Sequence, residues 1–261
     1  MKTIVNEIKS IYLNKDLIKY LVSTELKTNY KGTFLGFLWM LLDPLFMMLV
    51  YVVLVSIIFQ RGGPQFPILL FSALIGWRWF LQSSTNSLKS FLSNRSLIQT
   101  INVPLSIFPI AKVILGMITF LASFVALIPM LFIFDANISF HLLWLPLIII
   151  IQLIFTLGIS LILSVAGVYF TDLYNIMQFV LKLWFYFSPA LYSISLIPEK
   201  YYHYYMIVNP FAALFNSYKN VLVHGQSPNQ YLVLFAIEGI LLVSVGLTWV
   251  IKSRPFIVKN I

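Results

Sequence analysis

Residues 113–134, VILGMITFLASFVALIPMLFIF, run without a single charged side chain. As a helix rising about 1.5 Å per residue, such a run reaches across a hydrocarbon core of about 30 Å. Main-chain N–H and C=O groups have no water to turn to in lipid, so only helices and closed barrels satisfy them there. Barrel strands alternate apolar and polar positions over short segments, whereas this chain carries several continuous apolar runs. The class that follows is an all-α integral membrane protein. Composition agrees: 60% of the 261 residues are hydrophobic and 10% charged, with a mean hydropathy of +0.93, outside the range of soluble domains.

Six transmembrane helices are expected, at roughly 34–59, 67–90, 110–134, 142–168, 176–196 and 230–251. Residues 1–31 carry Lys2, Lys9, Lys15, Lys19, Lys27 and Lys31, and Ile4, Ile8, Ile11, Ile18 and Val22 recur at helical spacing. This reads as an amphipathic helix at the cytoplasmic interface. An even number of spans puts both termini on one side. That side also collects Lys89, Arg95, Lys112, Lys252, Arg254 and Lys259, while the other holds little beyond Arg61, Lys200 and Lys219. The bias places the lysine-rich side in the cytoplasm. The whole chain, 1–261, is expected to be one transmembrane permease domain: an interface helix at 1–31, a six-helix membrane domain at 34–251 and a cytoplasmic tail at 252–261.

The opening MKTIVNEIKSIYLNKD lacks the apolar core and small-residue cleavage site of a secretory signal, so the first span is expected to direct insertion. A net charge of +9 could point to nucleic acid, but its concentration at span ends points to the membrane surface, with no nucleic-acid partner. There is no cysteine, hence no disulfide or thiolate chemistry. His141, His203 and His224 are scattered and lack ligand spacing, which argues against a metal site.

Three stretches carry more than a plain span requires. In NYKGTFLGFLWMLLDPLF, Tyr30 and Lys31 fall where the interface helix turns into span one, a position for lipid headgroups or an anionic lipid phosphate. Pro44 removes a helical donor, and Asp43 beside it accepts from freed groups or faces a cavity, so this span, with Trp39, is expected to line a polar route. In GWRWF, Arg78 lies about ten residues inside span two. It either pairs with Glu238 of span six or faces a conduit, where Trp77 or Trp79 would stack on sugar rings. NRSLIQTINVPLSIFPIAK reads as a short helix, a break and re-entry; its apolar Leu97, Ile98, Ile101 and Val103 favour a docking element over a plain loop.

The segment from Phe187 to Gln230 is apolar, tyrosine-rich and interrupted by Pro189, Pro198 and Pro210. Short outer re-entrant helices between spans five and six, acting as a gate or a packed cap, fit this pattern. No G-x-x-x-x-G-K-[ST] phosphate loop occurs, so ATP is not cradled here by that means.

Tyr30, Lys31, Gly32, Leu35, Gly36, Leu38, Trp39 and Pro44, then Ser96, Leu97, Ile98, Pro104, Ile107, Pro109 and Ala111, then Phe170, Asp172 and Leu173, and finally Ser188, Pro189, Tyr192, Ile197, Pro198, Glu199, Asn209, Pro210 and Gly225 form an ordered series. In this order the chain resembles the type-two exporter permeases of the ATP-binding cassette transporters, particularly those exporting O-antigen, capsule and teichoic acid. Where family connectors often carry basic residues, this chain has Gln99 and Thr100.

The resemblance implies a second copy of the chain, two separate ATPase subunits binding ATP and Mg, and a lipid-linked glycan or polyol phosphate as substrate in the bacterial plasma membrane. Joined to the residue readings above, it gives an expected conduit (Trp39, Asp43, Trp77, Arg78, Trp79), an ATPase-docking element (Ser96, Leu97, Ile98, Ile101, Pro104) and an outer gate (Ser188, Pro189, Tyr192, Pro198, Glu199, Asn209, Pro210). No catalytic residue and no cofactor bound by this chain are expected. A drug or small-lipid exporter of the same fold is the nearest alternative. An ion-coupled transporter or an intramembrane hydrolase lacks its paired charges or its buried nucleophile and base.

Overall fold

The computed structural model describes residues 2–261, and no strand occurs among them. The α-helices are α1 (Lys2–Leu13), α2 (Lys15–Tyr30), α3 (Trp39–Val52), α4 (Phe66–Leu88), α5 (Arg95–Thr100), α6 (Ile107–Ile133), α7 (Leu145–Tyr169), α8 (Leu173–Phe187), α9 (Glu199–Val208), α10 (Pro210–Lys219) and α11 (Leu232–Asn260). Four helical segments among the described residues have the length and apolarity to cross a membrane: Gly36–Ile58 around α3, α6, Phe140–Tyr169 around α7, and α11.

Two expected spans take a different form. The 23-residue α4 is long enough to cross, but its last turns read Gln-Ser-Ser-Thr-Asn-Ser. It tolerates them because it is enclosed by protein, with Ser72, Ser83, Ser84 and Ser87 all buried. The segment expected at 176–196 is α-helical only to Phe187, with a single 3-10 turn at Ile194–Leu196: α8 has 15 residues, about 22 Å. Pro189 offers no donor and forces Ser188 into extended backbone (φ −94°, ψ 150°).

The ends differ from expectation as well. Residues 2–30 form two helices broken at Asn14, and α2 buries Ile18, Leu21 and Val22 in a cluster with Phe108 and Leu115 of α6. Residues 252–260 are no free tail. They continue α11 through Pro255, and Ile257, with Ile261 just after the helix, is buried in the same cluster, the two four residues apart at helical spacing.

Glycines set the closest approach in the bundle. A Cβ on Gly158 of α7 would stand 2.5 Å from Leu242 Cβ of α11, and one on Gly246 of α11 would stand 2.7 Å from Leu161 Cβ of α7. Small residues at such crossings let backbones meet where lipid supplies no hydrophobic drive. The core around α4 is aromatic and pinned by buried polar bonds. Trp77 lies edge-on to Phe211 with centroids 4.9 Å apart, Gln152 Nε2 donates to Gly76 O at 2.7 Å, and Tyr218 donates to Gln152 Oε1 at 2.6 Å.

The bundle has two unlike ends. At one, Gln65 donates to Phe134 O and Asp135 O, Asn137 N to Val223 O, and Ser139 Oγ to Gly225 O. At the other, the basic end, Lys112 pairs with Glu25 at 2.7 Å and Ser106 Oγ donates to Glu7 at 2.7 Å. Gly158→Val is expected to lower stability by about 1–3 kcal/mol through overpacking against α11. Thermal unfolding of the detergent-purified protein reads this, and an unchanged midpoint would mean that α7 and α11 do not cross so closely.

Candidate functional site

Helix α3 meets the rest of the chain along a single stripe, Pro44, Met48 and Tyr51, spaced four and three residues apart. One residue off that stripe, Asp43 accepts a hydrogen bond from Arg78 Nη2 of α4 and forms an ion pair with it. Arg78 is 20% exposed and Asp43 55%, so the pair is open on the carboxylate side. Of the two readings of Arg78, this overturns the pairing with Glu238: Glu238 sits on α11, which packs on α7, whereas α3 brings Asp43 directly against α4. Tyr30, Trp39, Gln82, Thr119 and Ser123 close around the pair in a cleft of about 30 Å³. That is room for a water, not for a sugar ring.

The two tryptophans beside Arg78 are not stacking platforms. Trp77 is 3% and Trp79 1% exposed; Trp79 donates to Val113 O at 3.0 Å and stacks on Phe120. They lie on opposite sides of α4, and both are buried because α4 is enclosed on both: Trp77 packs on Phe211 of α10 and Trp79 on Phe120 of α6, while Arg78 is left at the edge. Trp39, on α3, keeps an exposed ring. Lys31 is exposed beyond the end of α2.

A second group forms where α8 stops. The carbonyl of Phe187 accepts from Tyr192 OH at 2.7 Å, Tyr205 OH at 2.8 Å and Asn209 Nδ2 at 3.1 Å. Asn209 Oδ1 accepts in turn from Trp184 Nε1 at 3.2 Å and Ser188 Oγ at 3.1 Å. Lys219 Nζ donates to Pro189 O at 2.6 Å and reaches Ala190 O and Tyr192 O at 3.4 Å. Ser188, Pro189, Tyr192 and Asn209, expected together from sequence, are thus brought together. Pro210 starts α10 at its first position, where a missing N–H costs nothing. Pro198 and Glu199 open α9 instead; the carboxylate sits in its first turn, favourable for the helix dipole. Trp184, Tyr205 and Lys219 were not singled out by sequence. The lone lysine in FAALFNSYKNVLV was the available signal for the last.

The connector divides into a buried and a free face. Ile98 is 7% exposed and Ile101 39%. Pro104 is buried, Leu97 half-buried and Ser96 exposed. Ile98 therefore belongs to the chain's own core, correcting its assignment to a docking surface. Arg254 holds the connector by bonding Asn102 and Val103 O, and Gln99 Nε2 donates to Ile261 O at 2.9 Å. Among the described residues no three His, Asp or Glu side chains converge as a metal site would require.

The profile of the family described as ABC-2 type transporter matches residues 16–223. An O-antigen export system permease protein, RfbA, of Klebsiella pneumoniae is 32% identical over 234 residues, covering 89% of this chain and 90% of the relative. Its namesake in Myxococcus xanthus is 31% identical over 247 residues, 94% of each. The polysialic acid transport protein KpsM of Escherichia coli is 27% identical over 203 residues, 76% of this chain and 78% of the relative. Reversing the charges, Arg78→Asp with Asp43→Arg, should restore folded yield lost in either single variant. Yield measured by size-exclusion chromatography would dismiss the pair if the double variant is no better than the worse single one.

Proposed function

Because the chain belongs to the ABC-2 type transporter family, we propose that it is the permease subunit of an exporter. Its cargo is a lipid-linked polysaccharide or polyol phosphate, carried from the cytoplasm across the bacterial plasma membrane. The observation that carries this reading is the near end-to-end similarity to O-antigen export permeases. A transporter makes and breaks no bonds, so its residues guide and gate. ATP and Mg belong to two partner ATPase subunits, since no phosphate loop is present in this sequence.

A second copy of the chain fits the surfaces left uncovered. Asp43 on α3 and Asn175 and Lys182 on α8 are exposed among exposed apolar neighbours such as Phe46, Leu49, Phe179 and Leu183. Charges within a membrane face protein or water, not lipid. Covering these faces with their counterparts on a second copy creates a conduit whose wall includes Trp39, Asp43 and Arg78. Tyr30 and Lys31 meet lipid headgroups at its entrance. The six-span reading counts α4 and α8 with the four long helices, and leaves α9 and α10 as re-entrant outer gate helices anchored by Asn209. The basic end, with α1, α2 and both termini, then faces the cytoplasm.

Docking of the ATPase falls to the exposed connector face, Ser96, Leu97 and Ile101. ATPase closure there is carried through α5 and the end of α11 to the conduit. Ile101→Asp is expected to reduce ATPase copurification and surface polysaccharide at normal folded yield, since an unpaired charge in an apolar contact costs on the order of a few kcal/mol. Ile98→Asp should instead lose folded yield. Export that persists when the gene is deleted would end the exporter reading, and lost drug efflux with intact surface polymer would favour a small-molecule exporter. With no native cysteine, single cysteines report topology directly. Ser227→Cys should react with an impermeant maleimide on intact cells and Asn260→Cys only after permeabilisation; the reverse pattern would invert the topology.

A further inference from the structure

Two wide turns border one cavity. After α3, Phe59 N donates to Leu54 O, five residues back, at 3.0 Å, and Arg61 N donates to Val55 O at 2.9 Å. After α10, residues Asn220–His224 close a second turn of the same width. Such turns open the helix and recur at functional sites. The chain then leaves α3 through left-handed backbone at Gln60 (φ +52°), Gly62 (φ +101°) and Gly63 (φ +67°), the last two relieved by glycine.

Between these turns, the start of α4 and the segment after α8 lies a cavity of about 680 Å³. Its lining is chiefly apolar, with Leu54, Val55, Phe59, Leu69, Ile194 and Leu196 among the walls. Three basic side chains border it: Arg61, Lys219 and His224. They are not equivalent. Lys219 is spent on the carbonyls of Pro189, Ala190 and Tyr192. Burial, and then the charge of Lys219, push the His224 imidazole down from its ordinary pKa and disfavour its charged form. Arg61 is exposed, and its guanidinium has no hydrogen-bond or ion-pair partner among the described residues.

An apolar cavity with one free guanidinium at its border selects an amphiphile with an anionic end. A sugar would leave most of its hydroxyls unpaired, because Tyr186, Tyr192, Ser193 and Asn220 on the wall already bond within the chain, and an uncharged apolar ligand would gain nothing from Arg61. Guanidinium matches the geometry of phosphate oxygens. The volume suits a headgroup and a short length of chain. The cavity also adjoins the ends of α3 and α8, the helices assigned to the conduit, which favours a lipid leaving that conduit over bulk phospholipid.

We propose that this cavity receives the phosphate end of the lipid anchor of the exported polymer, with the phosphate at Arg61 and the first carbons of its apolar chain along Leu54, Val55 and Ile194. The assignment rests on the reading of the chain as a lipid-linked glycan exporter. Arg61 is then a substrate-binding residue on the outer side, distinct from the Asp43–Arg78 cleft.

The test uses the detergent-purified permease–ATPase complex, titrated with polyprenyl phosphate and read by native mass spectrometry. Arg61→Gln should weaken retention about fivefold, the worth of one basic residue against an anionic lipid, and Arg61→Lys should recover much of it. Polyprenol without phosphate should bind the native protein no better than it binds Arg61→Gln. Leu54→Trp, which fills the cavity without touching Arg61, should weaken retention too and carries the test if Arg61→Gln folds poorly. Equal retention in both variants, or phosphatidylglycerol held as tightly as polyprenyl phosphate, overturns the assignment. Surface polymer separates this failure from that of the exporter reading. Native export in both variants, with export lost on gene deletion, removes the cavity alone; export that survives deletion removes the reading beneath it.

Discussion

The carbonyl of Phe187 governs how the second half of the chain is built. A main-chain acceptor left unsatisfied away from water costs on the order of a few kcal/mol, and α8 releases acceptors where Pro189 ends it. Asn209, Tyr192 and Tyr205 converge on that one oxygen, while Lys219 serves the next carbonyls. Satisfying the break from four side chains, three of which lie beyond Pro198, forces the intervening chain to fold back on itself. The turn from α9 into α10 at Asn209, with α10 buried against α4, is the geometric consequence. A tyrosine-rich composition follows too, because a phenol offers one hydroxyl on a large apolar body.

Against that pinned region, α4 is the fixed axis. Its enclosure by α6, α7 and α10, its aromatic cluster and its Gln152–Tyr218 link tie four helices into a block. Helix α3 joins this block by a narrow stripe and an ion pair. Helix α8 buries only Leu181 and Phe185 and touches α3 through the Tyr51 and Tyr186 hydroxyls at 3.3 Å. Movement costs least where few contacts are lost, so the helices with uncovered faces are also those most easily displaced.

Class and helix order were legible in the sequence because hydrophobic runs and prolines are local signals. The breaks at Pro189 and Pro210 and the bundling of Asp43 with Pro44 could be read from single positions. The partner of Arg78 could not: depth along a span is estimated from residue counts, but azimuth depends on which helices are neighbours. Depth alone nominated Glu238, and the α3–α4 contact decided for Asp43. Trp77 and Trp79 were misjudged for a related reason, since an aromatic beside an arginine looks the same whether it turns inward or outward. Ile98 and Ile101, three residues apart, separate only once Ile98 is seen inside the cluster that holds Phe108 and Ile257.

The ion pair between Glu25 and Lys112 also has a temporal side. Its partners are 87 residues apart, so at about 5–20 residues per second a ribosome takes at least several seconds to supply the lysine after the glutamate. Glu7 waits longer still for Ser106. During that interval the nascent N-terminal helices have neither their apolar seat on α6 nor their polar partners. On the proposed topology, their own row of lysines holds them at the surface of the bilayer meanwhile.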